Sequence, residues 1–126
     1  MKLILTNDDG IDAPGIEALR QAASQIGETV TIAPRDHQSG CSHKITTDRP
    51  LRVEQRGENA FAVHGTPGDC ARVAIHRHGH EPFLILSGVN EGGNLGVDVW
   101  HSGTVAAVRE STIHGRPGIA LSQYRH

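Results

Sequence analysis

Lysine is nearly missing from this 126-residue chain. Only Lys2 and Lys44 occur, and no Gly-Lys-Ser/Thr sequence exists, which excludes a phosphate-binding loop of the Walker type. A basic excess is missing too. Twelve Lys+Arg stand against 14 Asp+Glu, for a formal net charge of -2, so there is no clustered cationic field of the kind a nucleic-acid duplex requires. Cysteine is limited to Cys41 and Cys70, far apart in the chain. Their separation fits neither a CxxC redox pair nor a zinc-knuckle spacing, and two reduced thiols in a cytoplasmic protein are expected. No apolar run approaches bilayer length, and the segment Leu3-Ile4-Leu5-Thr6-Asn7 is too short for a signal-peptide core. A soluble protein with no membrane partner is the expectation.

What is present suits one small sheet with polar loops. The length fits a single domain over residues 1–126, large enough to bury somewhat over ~60% of its extended-chain surface. Fifteen glycines and six prolines point to many tight turns, and the hydrophobic share is 37%.

Leu3-Ile4-Leu5-Thr6 is apolar without polar alternation, as a strand covered on both faces reads. Ile16, Leu19, Ala23 and Ile26 then recur at helical spacing, with Gly27 where a helix C-terminal glycine is expected. Thr29-Val30-Thr31-Ile32-Ala33 predicts a second strand stopped by Pro34. Strand, helix, strand is the start of a doubly wound, mostly parallel α/β sheet. The texture changes over residues 43–64, where short segments and a turn at Arg56-Gly57-Glu58-Asn59 predict an antiparallel excursion. Thr66-Pro67-Gly68-Asp69 is a helix start, in which Thr caps, Pro suits the first position and Asp bonds back. That helix is expected to run to about His76. A buried strand over residues 83–87, a glycine-rich loop over 88–103, a helix over 104–113 and a last strand over 118–121 complete the expectation.

Three polar clusters follow predicted strands: Asn7-Asp8-Asp9-Gly10, Gln38-Ser39-Gly40 and Ser87-Gly88-Val89-Asn90. Ligands of open α/β sheets bind beyond the carboxyl ends of the strands, so these clusters converge there. Adjacent aspartates repel each other and any phosphate unless a cation lies between. Carboxylate, hydroxyl and amide oxygens are hard donors, suited to Mg²⁺ or Mn²⁺. On the dipeptide alone, Asp8-Asp9-Gly10 is equally a plain Asp-Gly turn. Asn94 and Ser102-Gly103-Thr104 open a predicted helix, where backbone N–H groups and the helix dipole favour an anion such as phosphate. From the tripeptide alone, Ser102 as a simple cap is as good an account. His76, His78 and His80 alternate without cysteine partners and read as a solvated loop rather than a zinc site. Trp100, the only tryptophan, can stack on a base or fill a gap.

Together these motifs resemble the SurE family of stationary-phase survival proteins, which are nucleotidases. The resemblance rests on Ile4-Leu5-Thr6-Asn7-Asp8-Asp9-Gly10 with Ala13-Pro14-Gly15, on Ala33-Pro34 to Ser39-Gly40, on Gly65-Thr66-Pro67, on Ser87-Gly88-Val89-Asn90, and on Asn94-Leu95-Gly96 to Ser102-Gly103-Thr104-Val105-Ala106-Ala107. It implies a Rossmann-like domain with one divalent metal per subunit, Mg or Mn, on Asp8, Asp9, Ser39 and Asn90. It implies phosphate and substrate contacts from Asn94, Ser102, Gly103 and Thr104, with Trp100 near the nucleoside, and catalytic roles for Asp8, Asp9 and Asn94. The implied reaction is hydrolysis of nucleoside 5′- and 3′-monophosphates, in a homo-oligomer, dimer or tetramer. The resemblance covers the front part of a usual member, and the family's C-terminal part is expected to be missing. That leaves a non-catalytic metal- and phosphate-binding relative as the alternative. A departure is Trp100-His101 ahead of Ser102, where an aromatic directly before the serine is expected; His101 is then a surface histidine or a proton donor. An aspartyl-phosphate phosphatase is disfavoured, because that class places its second Asp two positions after the first, and here the two are adjacent.

Overall fold

The computed structural model describes residues 1–38 and 40–124. Six strands form one sheet: β1 (Lys2–Thr6), β2 (Thr29–Pro34), β3 (Val53–Gly57), β4 (Ala60–Val63), β5 (Phe83–Glu91) and β6 (Gly118–Gln123). Their order is β3-β4-β2-β1-β5-β6, with every pairing parallel except β3 with β4. The helices are α1 (Pro14–Ala23), α2 (Pro67–His78), the short α3 (Asp98–His101) and α4 (Gly103–Ile113).

Period-two alternation along β1 divides the core. Leu3 and Leu5 pack with Ile16, Leu19 and Ala23 of α1, whereas Ile4 packs on the other face with Cys70, Ala71 and Ala74 of α2 and with Val108 of α4. The result is three layers, with both faces of the parallel strands covered as their unbroken apolar runs require. β1 pairs with β2 on one side and β5 on the other, so the strand order reverses between β1 and β5. A crevice is expected at the carboxyl ends of those two strands.

The mostly parallel, helix-flanked architecture agrees with expectation, and some local boundaries do not. The first helix stops at Ala23: the Ser24 hydroxyl bonds the Gln21 carbonyl at 2.9 Å, and Ile26, read as part of the apolar stripe, is 80% exposed. Gly27 is no left-handed helix stop; it lets the chain pass Met1, whose carbonyl would lie 3.1 Å from an added Cβ. The antiparallel excursion expected over 43–64 is present as the pair β3–β4, and β4 also adds to β2 in parallel, through Ile32 opposite Phe61 and Ala33 opposite Ala62. The fifth strand continues through the supposed loop to Glu91, crossing an irregularity between Ser87 and Asn90 where Gly88 presses on the Leu121 carbonyl. Alternation is uninformative there, because Gly88 interrupts it. Finally, His76 and His78 are the last turn of α2 rather than a loop. Thr66 does cap that helix as expected, in a full capping box with Asp69.

Candidate active site

Asn7 shapes the loop beyond β1. Its amide donates to the Gly10 carbonyl at 2.7 Å and accepts from the Gly10 N–H at 3.2 Å, closing a ring that leaves Asp8 and Asp9 at its crest. Gly10 has φ of 108°, which a side chain would strain. The loop is tied to the end of β2 by Ile11 N–H to the Pro34 carbonyl, 2.8 Å, and by Gln38 N–H to the Asp8 carbonyl, 2.6 Å.

The two aspartates differ in surroundings. Asp8 is 5% exposed and accepts a hydrogen bond from the Thr104 hydroxyl at 3.0 Å. Burial pushes its carboxyl up from the ordinary range and the neighbouring Asp9 charge pushes it further, while the Thr104 hydroxyl pulls the other way. The pair is thus electrostatically unfavourable as it stands. Asp9 opens into a cleft of ≈ 370 Å³ formed by Ala13-Pro14-Gly15 at the start of α1, His37 and Val89-Asn90-Glu91 of β5. Its carboxylate lies 3.9 Å from His37 Nδ1 and accepts weakly from the Glu91 N–H at 3.5 Å.

Of the other expected site residues, Asn90 shares that cleft, with its amide donating to the Gly92 carbonyl at 2.9 Å. Ser39 lies outside the described residues; its neighbour Gln38 is the one bonded to Asp8. Gly103 packs directly on Asp8, since a Cβ there would lie 2.9 Å from the Asp8 Cβ and 2.9 Å from Cys41 Sγ. Ser102 caps α4, accepting from the Val105 N–H at 3.2 Å. The Thr104 side chain is fully buried and turned to Asp8, so what this helix start can offer an anion is the backbone N–H groups of Gly103 and Thr104, which have no intrahelical acceptor. Asn94 donates to the Ser122 hydroxyl at 2.5 Å, on the β6 side of the glycine-rich loop. Trp100 is 69% exposed on α3, outside the lining of the cleft, with the Arg109 guanidinium 5.3 Å from its ring.

Three residues were not singled out by sequence. Glu110 is buried on α4 and accepts from His43 at 2.8 Å and from His114 at 2.7 Å, pinning the loop after Cys41 to that helix. The Glu110–His114 spacing of one helical turn is legible in the sequence; the His43 contact, across most of the chain, is not.

The donor set fits a hard cation. Two adjacent carboxylates, one buried and raised by the other, are relieved by positive charge between them, and the Asn90 amide and the unpartnered buried Ser87 hydroxyl stand at the neighbouring strand. Among the described residues no group of three His, Cys, Asp or Glu is placed to hold a metal ion by itself.

The family model described as survival protein SurE matches residues 3–126. The protein alr3139 of Nostoc sp. is 56% identical over 126 residues, which take in 99% of this chain and 55% of the relative. The 5′-nucleotidase SurE 1 of Burkholderia lata is 51% identical over 97% of this chain and 48% of its own length. The crystal structure of the SurE protein from Aquifex aeolicus superposes with a TM-score of 0.94 at 40% identity, covering 100% of this chain and 52% of that one. The chain therefore spans about half the length of the relatives it matches. With an aspartate pair at the sheet's switch point, one member of it buried, a glycine-started helix packed on it and a match along nearly its whole length, this chain belongs to the SurE survival-protein family.

Proposed function

We propose that the chain carries the hydrolytic site of a 5′-nucleotidase, acting on nucleoside 5′-monophosphates and also on 3′-monophosphates. The observation that carries the proposal is the contact of Asp8 with Thr104, which holds one carboxylate of the pair beneath the N-terminus of α4. Relatives at 46–51% identity are named 5′-nucleotidase SurE, which supports the same substrate class.

Asp8, Asp9, Ser39 and Asn90 would hold one Mg²⁺ or Mn²⁺ ion per subunit, and such an ion would supply Lewis-acid polarisation of a phosphoryl oxygen and make water more acidic. Asp8 is the fixed member of the set, because Thr104 and burial hold its rotamer. Asp9, open to the cleft, accepts a proton from the attacking water. The Gly103 and Thr104 N–H groups, Ser102 and Asn94 receive the phosphoryl oxygens and stabilise charge that develops on them. Trp100 stacks on the base. The assembly is a homodimer or tetramer.

Phosphate release from the nucleoside 5′- and 3′-monophosphates, assayed with Mg²⁺ and with Mn²⁺ beside the mass in solution, tests this. Turnover that needs the added metal and is lost in Asp9→Asn is expected. Metal and phosphate binding with no release from any nucleotide would replace it with a non-catalytic binding protein.

A further inference from the structure

A second cleft, of ≈ 460 Å³, lies on the other helical layer and shares no lining residue with the one beside Asp9. Its walls are α2 and the segment leading into β3. Arg72, His76 and Arg77 project from α2, Arg49 faces them from the opposite wall, and Leu51, Val53 and Val73 form an apolar floor. The spacing explains the α2 side: positions 69, 72, 73, 76 and 77 share one helical face.

Positive charge is in excess on this face. Arg49, Arg72 and Arg77 form no ion pair with any described residue. Arg49 donates only to backbone carbonyls, those of His64 at 3.0 Å and Pro50 at 3.5 Å, and Arg77 lies over the Phe61 ring, 4.3 Å from its centre. The one carboxylate present, Asp69, is already engaged by the Thr46 N–H at 2.8 Å, the Thr46 hydroxyl at 2.7 Å and the Thr66 N–H at 2.9 Å. It is therefore not available to the arginines. Three guanidiniums around an apolar floor, with Asp69 the one carboxylate in the lining, leave an excess of positive charge here in a chain of net charge -2.

We propose that this cleft is a binding site for a small organic phosphate of nucleotide size, separate from the hydrolytic site. Guanidiniums from two walls grip phosphate oxygens in paired hydrogen bonds, and the Leu51-Val53-Val73 floor takes the flat, less polar part of the ligand. The volume lies within the ~300–1,000 Å³ typical of small-molecule sites. The proposal goes beyond the nucleotidase assignment and does not depend on it.

Calorimetric titration in EDTA separates the two sites, because without a cation the Asp8-Asp9 pair repels phosphate. ADP is expected to bind with a stoichiometry of one, more tightly than pyrophosphate, and adenosine is expected not to bind. Arg72→Glu changes an exposed side chain without ion pairs, so the fold is retained, and ADP affinity should fall at least ~10-fold. Asp9→Asn should leave it unchanged. No ADP binding in EDTA, or binding indifferent to Arg72→Glu, overturns the proposal. Binding that strengthens in Asp9→Asn, where the repulsion is removed, moves the ligand to the hydrolytic site. A single-stranded oligonucleotide that binds through Arg72 more tightly than ADP replaces the small phosphate with a nucleic acid.

Discussion

Thr104, the second residue of α4, donates its hydroxyl to Asp8 Oδ1 at 3.0 Å, joining the start of that helix to the loop after β1, 96 positions away in the chain. Both groups are buried, so the bond is the anchor of the carboxylate and not a surface accident. It also opposes the upward push that burial and Asp9 exert on the Asp8 carboxyl.

Thr104→Val keeps the shape and removes the donor. A buried carboxylate left without its partner costs ~1–3 kcal/mol, measurable as a lower urea midpoint with an unchanged slope. The Asp8 carboxyl should rise further, so Mn²⁺ binding should weaken most at mildly acidic pH, where protons compete for the ligand. Thr104→Ser should restore both properties, and a Val variant as stable as the parent would remove the anchoring role.

Glu110 gives a pH signature of the opposite sign to Asp8. Burial pushes its carboxyl up, but the hydrogen bonds from His43 and His114, with their charges, outweigh this and hold it below the usual range. The folded chain then binds fewer protons than the unfolded one between the folded and ordinary values. Its stabilisation is complete above the ordinary carboxylate range and is lost as pH falls through the folded value. Glu110→Gln should therefore lower stability at about neutral pH and lose less on acidification than the parent does. Parallel unfolding curves at both pH values would contradict this.

How much of this was legible follows from range. The strands of the parallel core read directly from their apolar runs, and the α2 capping box from the Thr66-Pro67-Gly68-Asp69 string, because both signals are local. The extension of β5 through Gly88 was not legible, since it depends on β6 pairing across a register shift. The site was legible as three clusters at strand ends, yet the use of the Thr104 hydroxyl was not: a residue that opens a helix reads equally as anion ligand or as support, and only its contact with Asp8 decides between them. The Glu110–His43 contact joins residues 67 positions apart and leaves no periodic trace.

Gly15 marks where α1 meets the cleft. A Cβ there would collide with the Val89 carbonyl, a backbone atom that cannot swing aside as a flexible side chain can. Gly15→Ala should force α1 away from β5, with a loss of ~1–3 kcal/mol of stability, although alanine is the better helix former. Because Asp9 and Asn90 line the same cleft, metal affinity should fall with it. A stabilised variant in thermal melts would refute the close approach.

The metal is the premise of the hydrolytic assignment, and Asp9 tests it. In EDTA the raised Asp8 carboxyl means that the folded chain holds a proton that the unfolded chain releases, so this group's contribution to stability declines as pH rises through the raised value. Asp9→Asn removes the repelling charge, so the metal-free variant should be at least as stable as the parent and less sensitive to that rise in pH. Added Mn²⁺ should stabilise the parent by ~2.7 kcal/mol at a hundredfold excess over the dissociation constant, because the unfolded chain gathers no such set of oxygens. The same addition should leave Asp9→Asn nearly unmoved. A plain Asp-Gly turn predicts something else: little change in stability on substitution and no response to metal in either protein. A variant that keeps the full Mn²⁺ shift would place the ion elsewhere and remove Asp9 from the site.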